Sequence, residues 1–468
     1  MLSNISRNLI FVVTLSICPS ANLFAQLGYS IKFDIKGLNN QEIFLGYYYG
    51  ESTYIKDTAK VDLSGKFSYS GKEPLDQGTY MLVKGKTKLF EFLVGRNQKF
   101  SMTSDTSDYI SNMKVDGDTN NEVLFENMRF NMKMNELAQP HLEQVRDSLS
   151  DQATIEEAQA ELRKLNQQVI ARLKEVAEQH KELLISDIWI LQGKVDVPDS
   201  LSRDEQFGYY KEHFWDGVDL SNDALLRLPN SPYFKKMEEY LDNLFLQTTD
   251  SLIVGIEEII TKARSNMDTY KYAVWNLCIK YQNPKFMGQD GVFVYLYDQY
   301  FASGEMDYWA NESLKNNLKE RADQIRKSLL GAQAQNLIML DENLNKVSLY
   351  DLKKKFTVIY FYDPDCGHCK KETPILNNFY NNTKHDVEVF AVSADTSMLK
   401  MNNYIKDMGL SWVSANGPRT ITPAYQTLYD ANSTPTIYLL DEKKRIIAKK
   451  IEAARLEEFL DNYSKLNN

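Results

Sequence analysis

The spacing of apolar residues changes twice along the chain, which predicts three structural regions. From residue 28 to about 115, apolar and polar residues alternate, and turns with glycine or asparagine recur at short intervals. This period of two predicts strands that bury one face. The predicted strands are 31–36, 43–45, 67–69, 80–83 and 89–94. We therefore expect an antiparallel β-sandwich, in which the aromatic strip 47–49 is packed rather than a binding surface.

The region from residue 120 to about 331 has a helical period. Apolar residues from Ala158 to Val176 recur at spacings of three and four in a heavily charged stretch, which predicts a long amphipathic helix. Its partner could be a helix of the same chain or a second copy, so a homodimer through the helical domain is open. Later helices are predicted at 202–215, 233–247, 250–264, 267–282, 291–302 and 311–329. We expect an all-α helical domain.

Strands and helices alternate after residue 331. Residues 356–362 are almost all β-branched or aromatic, which predicts a strand buried on both faces of a sheet. A helix is predicted to begin at Cys366. Its predicted apolar side consists of Cys369, Ile375, Leu376 and Phe379. The other predicted strands are 337–340, 387–393, 412–413 and 446–448, and the other predicted helices are 349–355, 398–408 and 456–463.

Length and composition fit a multidomain globular protein. The chain has 468 residues, of which 43% are hydrophobic and 25% are charged, enough for about three domains. We place their boundaries at 26–119 for the β-sandwich, 120–331 for the helical domain and 332–468 for the C-terminal domain. The net charge of −10 argues against nucleic acid as a partner, because an acidic chain repels a phosphate backbone.

The first 25 residues have the pattern of a signal peptide. A single positive charge precedes the apolar run 9–17, and small and turn residues lead to Ala25. The run is shorter than the roughly 20 residues that a membrane span needs, so we expect cleavage after Ala25 and an exported, periplasmic protein. Lipidation of Cys18 is the alternative, but Ile17 is large where the lipoprotein cleavage site usually has Gly, Ala or Ser.

A Cys-x-x-Cys pair at residues 366–369 carries the chemistry of the chain. At a helix N-terminus, unpaired amides and the helix dipole favour thiolate over thiol at Cys366. His368 adds a nearby positive charge when it is protonated. An ionised Cys366 can attack a disulfide, and Cys369 can then resolve the mixed disulfide. A closed zinc site needs four ligands, and the mature chain adds only Cys278 and scattered histidines, so we expect neither a metal nor a cofactor.

The C-terminal region contains two motifs in order: Cys-x-x-Cys-Lys-Lys-Glu-x-Pro at 366–374, and residues 424–430 followed by 433–441. With these motifs it resembles the exported TlpA/ResA-like branch of the thioredoxin-like proteins. In that branch the first motif opens the first helix, and the second forms a helix, the cis-proline loop and a strand. The resemblance implies an α/β thioredoxin-like fold and a cis bond between Thr434 and Pro435. It also implies that Gly367, Thr434 and Pro435 bind the substrate chain.

Glu372 is the predicted proton carrier. Thioredoxin has a buried aspartate six residues before its first cysteine, where this chain has Tyr360, which cannot act as a base near neutral pH. Glu372 lies three residues after Cys369 on the same helical face, and it matches the glutamate of the family motif. We therefore expect Glu372 to take the proton that Cys369 must lose. The alternative is a surface glutamate paired with Lys371 or another neighbour.

Together these features predict a periplasmic thiol-disulfide oxidoreductase in which Cys366 and Cys369 form a redox disulfide. The resemblance favours a reductase of disulfides in exported proteins, supplied by an upstream thiol electron donor. Isomerase or oxidase activity stays open, because Gly-His between the cysteines is the dipeptide of protein disulfide isomerase. An exported partner-binding scaffold with a redox-sensing dithiol is the alternative of another class. Asp363 argues against a peroxidase, since a peroxiredoxin has Thr or Ser there.

Overall fold

The computed structural model of the protein describes residues 28–147 and 151–467. The signal peptide predicted at residues 1–25 and the alternative lipidation site at Cys18 lie outside the described residues. In the described part of the chain, no helix combines the length and the apolar character that crossing a membrane requires.

The described chain divides into two compact units. One comprises the residues up to Tyr48 together with Ser52–Ile185, and the other comprises Tyr49–Glu51 together with the residues from Ser186 onward. This division does not coincide with the boundary predicted between residues 119 and 120. The first helices of the predicted helical domain group with the sheets, because Phe125 on the first of them is buried in the core of the sandwich.

Two four-stranded sheets share one core in the first unit. Their strands are β1 (Tyr29–Lys36), β2 (Glu42–Tyr49), β3 (Ser52–Lys60), β4 (Lys66–Gly71), β5 (Gly78–Lys84), β6 (Thr87–Val94), β7 (Lys99–Asp105) and β8 (Lys114–Asp116). The strand orders are β4-β1-β7-β8 and β3-β2-β5-β6. Ile31, Phe33 and Ile35 alternate along β1 and are all buried, as a period of two predicts. The predicted sandwich is confirmed, although β1 and β7 are parallel.

Two helices of 28 residues follow the sheets: α1 (Thr119–Arg146) and α2 (Gln152–Gln179). The residue before each helix is an aspartate whose carboxylate accepts a backbone N–H of the first turn. α2 packs against α1, and its stripe residues Ala158 and Val176 are buried. The predicted amphipathic helix therefore has a partner within the chain, and a homodimer through the helical domain stays a prediction.

Further helices lead to the C-terminal sheet. They are α3 (Leu184–Gln192), α4 (Arg203–Glu212), α5 (Pro232–Leu244), α6 (Thr249–Ala263), α7 (Met267–Gln282), α8 (Asp290–Leu296) and α9 (Glu312–Arg326). The helices predicted after residue 200 are confirmed, and α8 continues into a π-helical turn (Tyr297–Phe301). Cys278 on α7 is fully buried, and burial raises the pKa of its thiol to about 12, as suits a small core residue.

A seven-stranded mixed sheet forms the C-terminal domain. Its strands are β9 (Ile338–Asp341), β10 (Lys346–Ser348), β11 (Phe356–Tyr362), β12 (Val387–Ser393), β13 (Val413–Thr420), β14 (Thr436–Leu440) and β15 (Ile446–Lys449), and its helices are α10 (Gly367–Asn382), α11 (Met398–Met408), α12 (Tyr425–Leu428) and α13 (Leu456–Asn467). The order is β10-β9-β13-β12-β11-β14-β15. β11 to β13 are parallel, whereas β14 is antiparallel to β11. All of β11 is buried, which confirms the predicted α/β domain with a central strand.

Two details of the predicted C-terminal domain are wrong. The helix expected at 349–355 is only a 3-10 turn (Leu349–Asp351), because the chain is already extended at Leu352 on its way into β11. Ile375, expected on the apolar side of α10, is 42% exposed. It lies six residues after Cys369, well off the buried side of the helix, and Thr373 takes the buried position instead.

Candidate active site

Cys366 lies at the junction between the central strand and the helix that follows it. β11 ends at Tyr362, and α10 begins at Gly367 with Cys366 as its N-cap residue. The backbone N–H of Cys366 donates to the carbonyl of Asp363, with 3.1 Å between N and O, and this closes the turn. Cys366 is partly exposed, whereas Cys369 one turn later is fully buried. Of the two cysteines, Cys366 is therefore the one that solvent can reach.

The surroundings of the Cys366 sulfur favour the thiolate. Partial burial opposes ionisation, but hydrogen bonds outweigh it and lower the pKa of Cys366 below its ordinary value. The backbone N–H of Cys369 donates to the sulfur, with 3.4 Å between N and Sγ, and the backbone of His368 contributes in the same direction. These are the unpaired amides of the helix N-terminus. The imidazole of His368 is exposed to solvent.

At Cys369, burial has the largest effect on the pKa of the thiol. The side chain has no exposed surface, and desolvation raises the pKa of its thiol to about 11. The backbone N–H of Asp363 donates to Cys369 Sγ at 3.5 Å without offsetting this penalty. Both cysteines are free thiols in the structure. A base must therefore assist Cys369 before it can attack a mixed disulfide.

Residues 433–436, the docking loop, lie beside Cys366. The bond between Thr434 and Pro435 is cis, as predicted. The Cys366 thiol donates to the carbonyl of Thr434, with 3.5 Å between Sγ and O. Gly367 is exposed, and open space surrounds the position where a side chain would project. The fold thus brings the carbonyl of Thr434 beside Cys366 Sγ, and substrate binding by Gly367, Thr434 and Pro435 stays a prediction.

Glu372 lies on α10 one turn after Cys369, and its carboxylate bonds to a distant backbone group. Its Oε1 accepts the N–H of Ala453, at 2.5 Å, in the turn before α13. The residue is half-buried. Its role as the proton carrier of Cys369 stays a prediction.

A buried hydroxyl network behind Cys369 is not predicted by the sequence analysis. Thr373 Oγ1 lies 2.8 Å from the hydroxyl of Tyr360 and 2.7 Å from that of Tyr404. Burial raises the pKa of Tyr404 to about 12, so its hydroxyl stays protonated. The spacing of four residues between Cys369 and Thr373 on a helix could have indicated that Thr373 lies on the same side of α10 as Cys369. No sequence pattern indicated Tyr404, because only the packing of α11 brings its hydroxyl close to Thr373.

Two groups of side chains with metal-ligand chemistry occur among the described residues. Asp363, Asp365 and Asp395 bring carboxylate oxygens within 4.8 Å of one another beside the active-site turn. Lys400 donates to Asp365 at 2.5 Å and to Asp395 at 2.9 Å. Its ammonium balances part of this charge, so the cluster does not require a cation. The other group consists of His385, Glu457 and Asp461.

Comparison with known proteins assigns the dithiol to a family. Residues 330–449 match the AhpC/TSA family. The thiol-disulfide oxidoreductase ResA of Bacillus subtilis (strain 168) is 29% identical over 138 residues, which cover 29% of this chain and 74% of that protein. Residues 330–449 are therefore a thioredoxin-like domain of the AhpC/TSA family, and they are similar in sequence to thiol-disulfide oxidoreductases. ResA of Bacillus anthracis is similarly 29% identical to this oxidoreductase over 142 residues, 30% of this chain and 79% of that protein.

Two solved structures are also similar to this oxidoreductase. A domain of a possible thiol-disulfide isomerase from Cytophaga hutchinsonii ATCC 33406 is 33% identical and has a TM-score of 0.28, covering 30% of this chain and 95% of that one. A thioredoxin-like protein from Bacteroides caccae ATCC 43185 is 17% identical and has a TM-score of 0.47, covering 58% of this chain and 98% of that one. Residues 29–124 and 152–327 match two domains of unknown function, DUF4369 and DUF5106.

Proposed function

We propose that this oxidoreductase reduces disulfides of exported proteins in the periplasm through its Cys366/Cys369 dithiol. The observation that supports the proposal most is the contrast between the two thiols. Cys366 is partly exposed, has a lowered pKa and lies 3.5 Å from a carbonyl of the docking loop. Cys369 is buried and has a raised pKa. Such a pair suits one attacking thiolate and one resolving thiol.

The reaction balances as a two-electron exchange. The Cys366 thiolate attacks one sulfur of the substrate disulfide, the S–S bond breaks, and the released substrate thiolate takes a proton from solvent. Cys369 gives its proton to Glu372, and its thiolate then attacks Cys366 Sγ and breaks the mixed disulfide. The second substrate thiolate leaves and is protonated from solvent, to which Glu372 returns its proton. The substrate gains two electrons and two protons, and the protein keeps a Cys366–Cys369 disulfide. An upstream dithiol donor must return the electrons.

Isomerisation is the second candidate, on the strength of one observation. The residues between the cysteines are Gly367 and His368, a dipeptide shared with protein disulfide isomerase, whose potential of about −180 mV is less reducing than the roughly −270 mV of thioredoxin. Measuring the dithiol–disulfide equilibrium of the protein against glutathione separates the two. A potential near that of thioredoxin supports the reductase, and one near that of the isomerase supports the second candidate.

The activity itself is tested by the reduction of insulin with dithiothreitol as the electron donor. We expect the full-length mature protein to accelerate insulin precipitation, Cys366→Ser to abolish the acceleration, and Cys278→Ser to retain it. A protein that binds partners without catalysing exchange would leave the rate at its dithiothreitol background. Osmotic-shock fractionation tests the location, and recovery of the protein only with the cytoplasmic fraction would overturn that part of the proposal.

A further inference from the structure

Helix α9 contacts the segment that leads into the docking loop. Arg321 donates through both terminal nitrogens to both carboxylate oxygens of Asp430, with 3.1 Å between Nη2 and Oδ2. Lys450 donates to the same carboxylate at 2.6 Å. The side chains of Arg321 and Asp430 are 14% and 2% exposed. This bidentate pair is largely withdrawn from solvent, so its geometry is closely defined.

A second set of contacts lies one turn later on α9. Gln324 donates to the carbonyl of Gln426 at 2.6 Å and to Asn432 Oδ1 at 2.9 Å. Asn432 returns a hydrogen bond to Gln324 Oε1 at 3.1 Å. Just after the helix, Ser328 Oγ accepts the backbone N–H of Asp430 at 3.2 Å. Arg321, Gln324 and Ser328 thus all bond to the chain between residues 426 and 432.

These anchors lie a few residues before the docking loop along the chain. Asp430 precedes Thr434 by four residues and Asn432 precedes it by two. Burial would raise the pKa of Asp430, but the hydrogen bonds and charges of Arg321 and Lys450 outweigh it and lower that pKa, so the anchor is a carboxylate at neutral pH. The segment that leads to Thr434 is therefore held by groups outside the thioredoxin-like domain.

We propose that α9 is a positioning element of the redox site. Arg321 and Gln324 hold the segment before the docking loop, and they thereby set the place at which an extended substrate chain pairs beside Cys366. The inference rests on the proposed function, and it gives the region that matches a domain of unknown function a part in substrate recognition. Misplacement of a docking group by about 1 Å can lower a rate up to about a hundredfold.

The test compares a protein substrate with a small disulfide that does not need the loop. The reduced full-length protein is mixed with insulin or with hydroxyethyl disulfide, and the second-order rate constant for its oxidation is measured. We expect Arg321→Gln to lower the insulin rate constant about tenfold and to change that for hydroxyethyl disulfide by less than about twofold. Arg321→Lys, which keeps the charge, should recover part of the loss.

Arg326→Gln is the matched control. Arg326 lies on the same helix and forms a bidentate pair with Asp298, at 2.8 and 2.7 Å, within the helical region. The Arg326→Gln variant should have rate constants for insulin and for hydroxyethyl disulfide near those of the parent. If Arg321→Gln and Arg326→Gln give the same ratio of insulin to hydroxyethyl disulfide rates, α9 does not position the loop and the inference is wrong.

Gln324→Ala covers the case in which Arg321→Gln does not fold. It removes the contacts with Gln426 and Asn432 but leaves no buried charge unpaired, and we expect the same selective loss with insulin. An unchanged ratio for folded Gln324→Ala would overturn the inference by itself. Failure of the dithiol chemistry itself has a different signature, because the parent protein would then react with neither disulfide.

Discussion

Cys366 and Cys369 share one turn of helix but differ in exposure and in the pKa of their thiols. We expect brief iodoacetamide treatment of the reduced protein near neutral pH to label Cys366 first, because alkylation requires the thiolate. The labelling rate should reach half its maximum below pH 9, since the pKa of Cys366 is lowered from 9.0. Peptide mass spectrometry identifies the site. Earlier labelling of Cys369, whose pKa is about 11, would contradict this assignment.

The backbone of His368 and its side chain have separable effects on the redox potential. His368→Pro removes both the N–H that supports the Cys366 thiolate and the imidazole, so it should lower the potential by tens of millivolts, where 30 mV corresponds to about 1.4 kcal/mol. Proline is tolerated in the first turn of a helix. His368→Ala keeps the N–H and isolates the imidazole. Equilibration with glutathione measures both variants, and an unchanged potential in each would show that neither group matters.

Glu372→Gln tests the proton carrier without disturbing its structural contact. The amide oxygen of glutamine can still accept the N–H of Ala453, but the side chain can no longer take a proton. We expect attack by Cys366 to be nearly unchanged and resolution by Cys369 to slow about a hundredfold, within the usual range for a general base. Mixed disulfide with a substrate peptide should accumulate in quenched samples.

The control for this variant is Glu458→Gln. Glu458 is an exposed residue of α13 that pairs with Arg455 at 3.0 Å, far along the chain from the dithiol. It should behave as the parent does. If turnover and its pH profile are the same for Glu372→Gln and the parent, another group removes the proton from Cys369.

At the residue scale, the sequence predicts the features that depend only on residues close together in the chain. Cys366 as the N-cap and Cys369 as the buried partner follow from a strand, a turn and a helix in succession. The contact between Glu372 and Ala453 joins residues 81 positions apart. The hydroxyl of Tyr404 meets Thr373 only because two helices pack side by side. A local sequence pattern cannot predict contacts between residues that are so far apart in the chain.

Among the elements, the segment before the docking loop gives a pH-dependent prediction. The pKa of Asp430 is lower in the folded protein than its ordinary 3.8, so the unfolded chain binds more protons at acidic pH. The stabilisation by the Asp430 carboxylate is complete above the pKa that Asp430 has in the unfolded chain. It is lost as the pH falls through the pKa that Asp430 has in the folded protein. Asp430→Asn should therefore lower the free energy of unfolding by about 3 kcal/mol at neutral pH, as expected for a broken buried pair.

Urea titrations from neutral pH to about pH 3 measure this effect. The difference in free energy of unfolding between the parent and Asp430→Asn should become smaller towards pH 3, because the parent carboxylate becomes protonated while asparagine never changes charge. A difference that is constant over the whole pH range would show that the charge of the carboxylate does not stabilise the protein.

Helices and strands are predicted best where the capping residues and the period of the apolar residues indicate the same bounds. The helix 398–408 is predicted to the residue, since Ser397 caps its start and Gly409 ends it in the left-handed conformation. β3 is absent from the prediction because its residues are mostly exposed and lack a buried alternation. β13 extends beyond the predicted 412–413, although Gly417 and Pro418 suggest a break.

For the whole molecule, the buried pair between Lys449 and Asp290 joins the helical region to the edge of the sheet. Lys449 Nζ lies 2.6 Å from Asp290 Oδ2, and the side chains are 2% and 6% exposed. Lys449→Met should lower the free energy of unfolding by about 3–5 kcal/mol, because it leaves a buried carboxylate without its cation. Combining it with Asp290→Asn should recover part of this loss. Urea denaturation of the parent, both single variants and the double variant measures the coupling, and additive losses would contradict it.

A thioredoxin-like domain is commonly regarded as a module that can be exchanged between proteins. Here Asp430 pairs with Arg321 and Lys449 pairs with Asp290, and both partners lie on the helical side. A domain grafted from a relative would have to bring an acid and a base to these two positions, or leave charges buried without partners. Exchange of the redox domain alone would therefore break two ion pairs, and a substitution at one of the four positions should be compensated by a substitution of its partner.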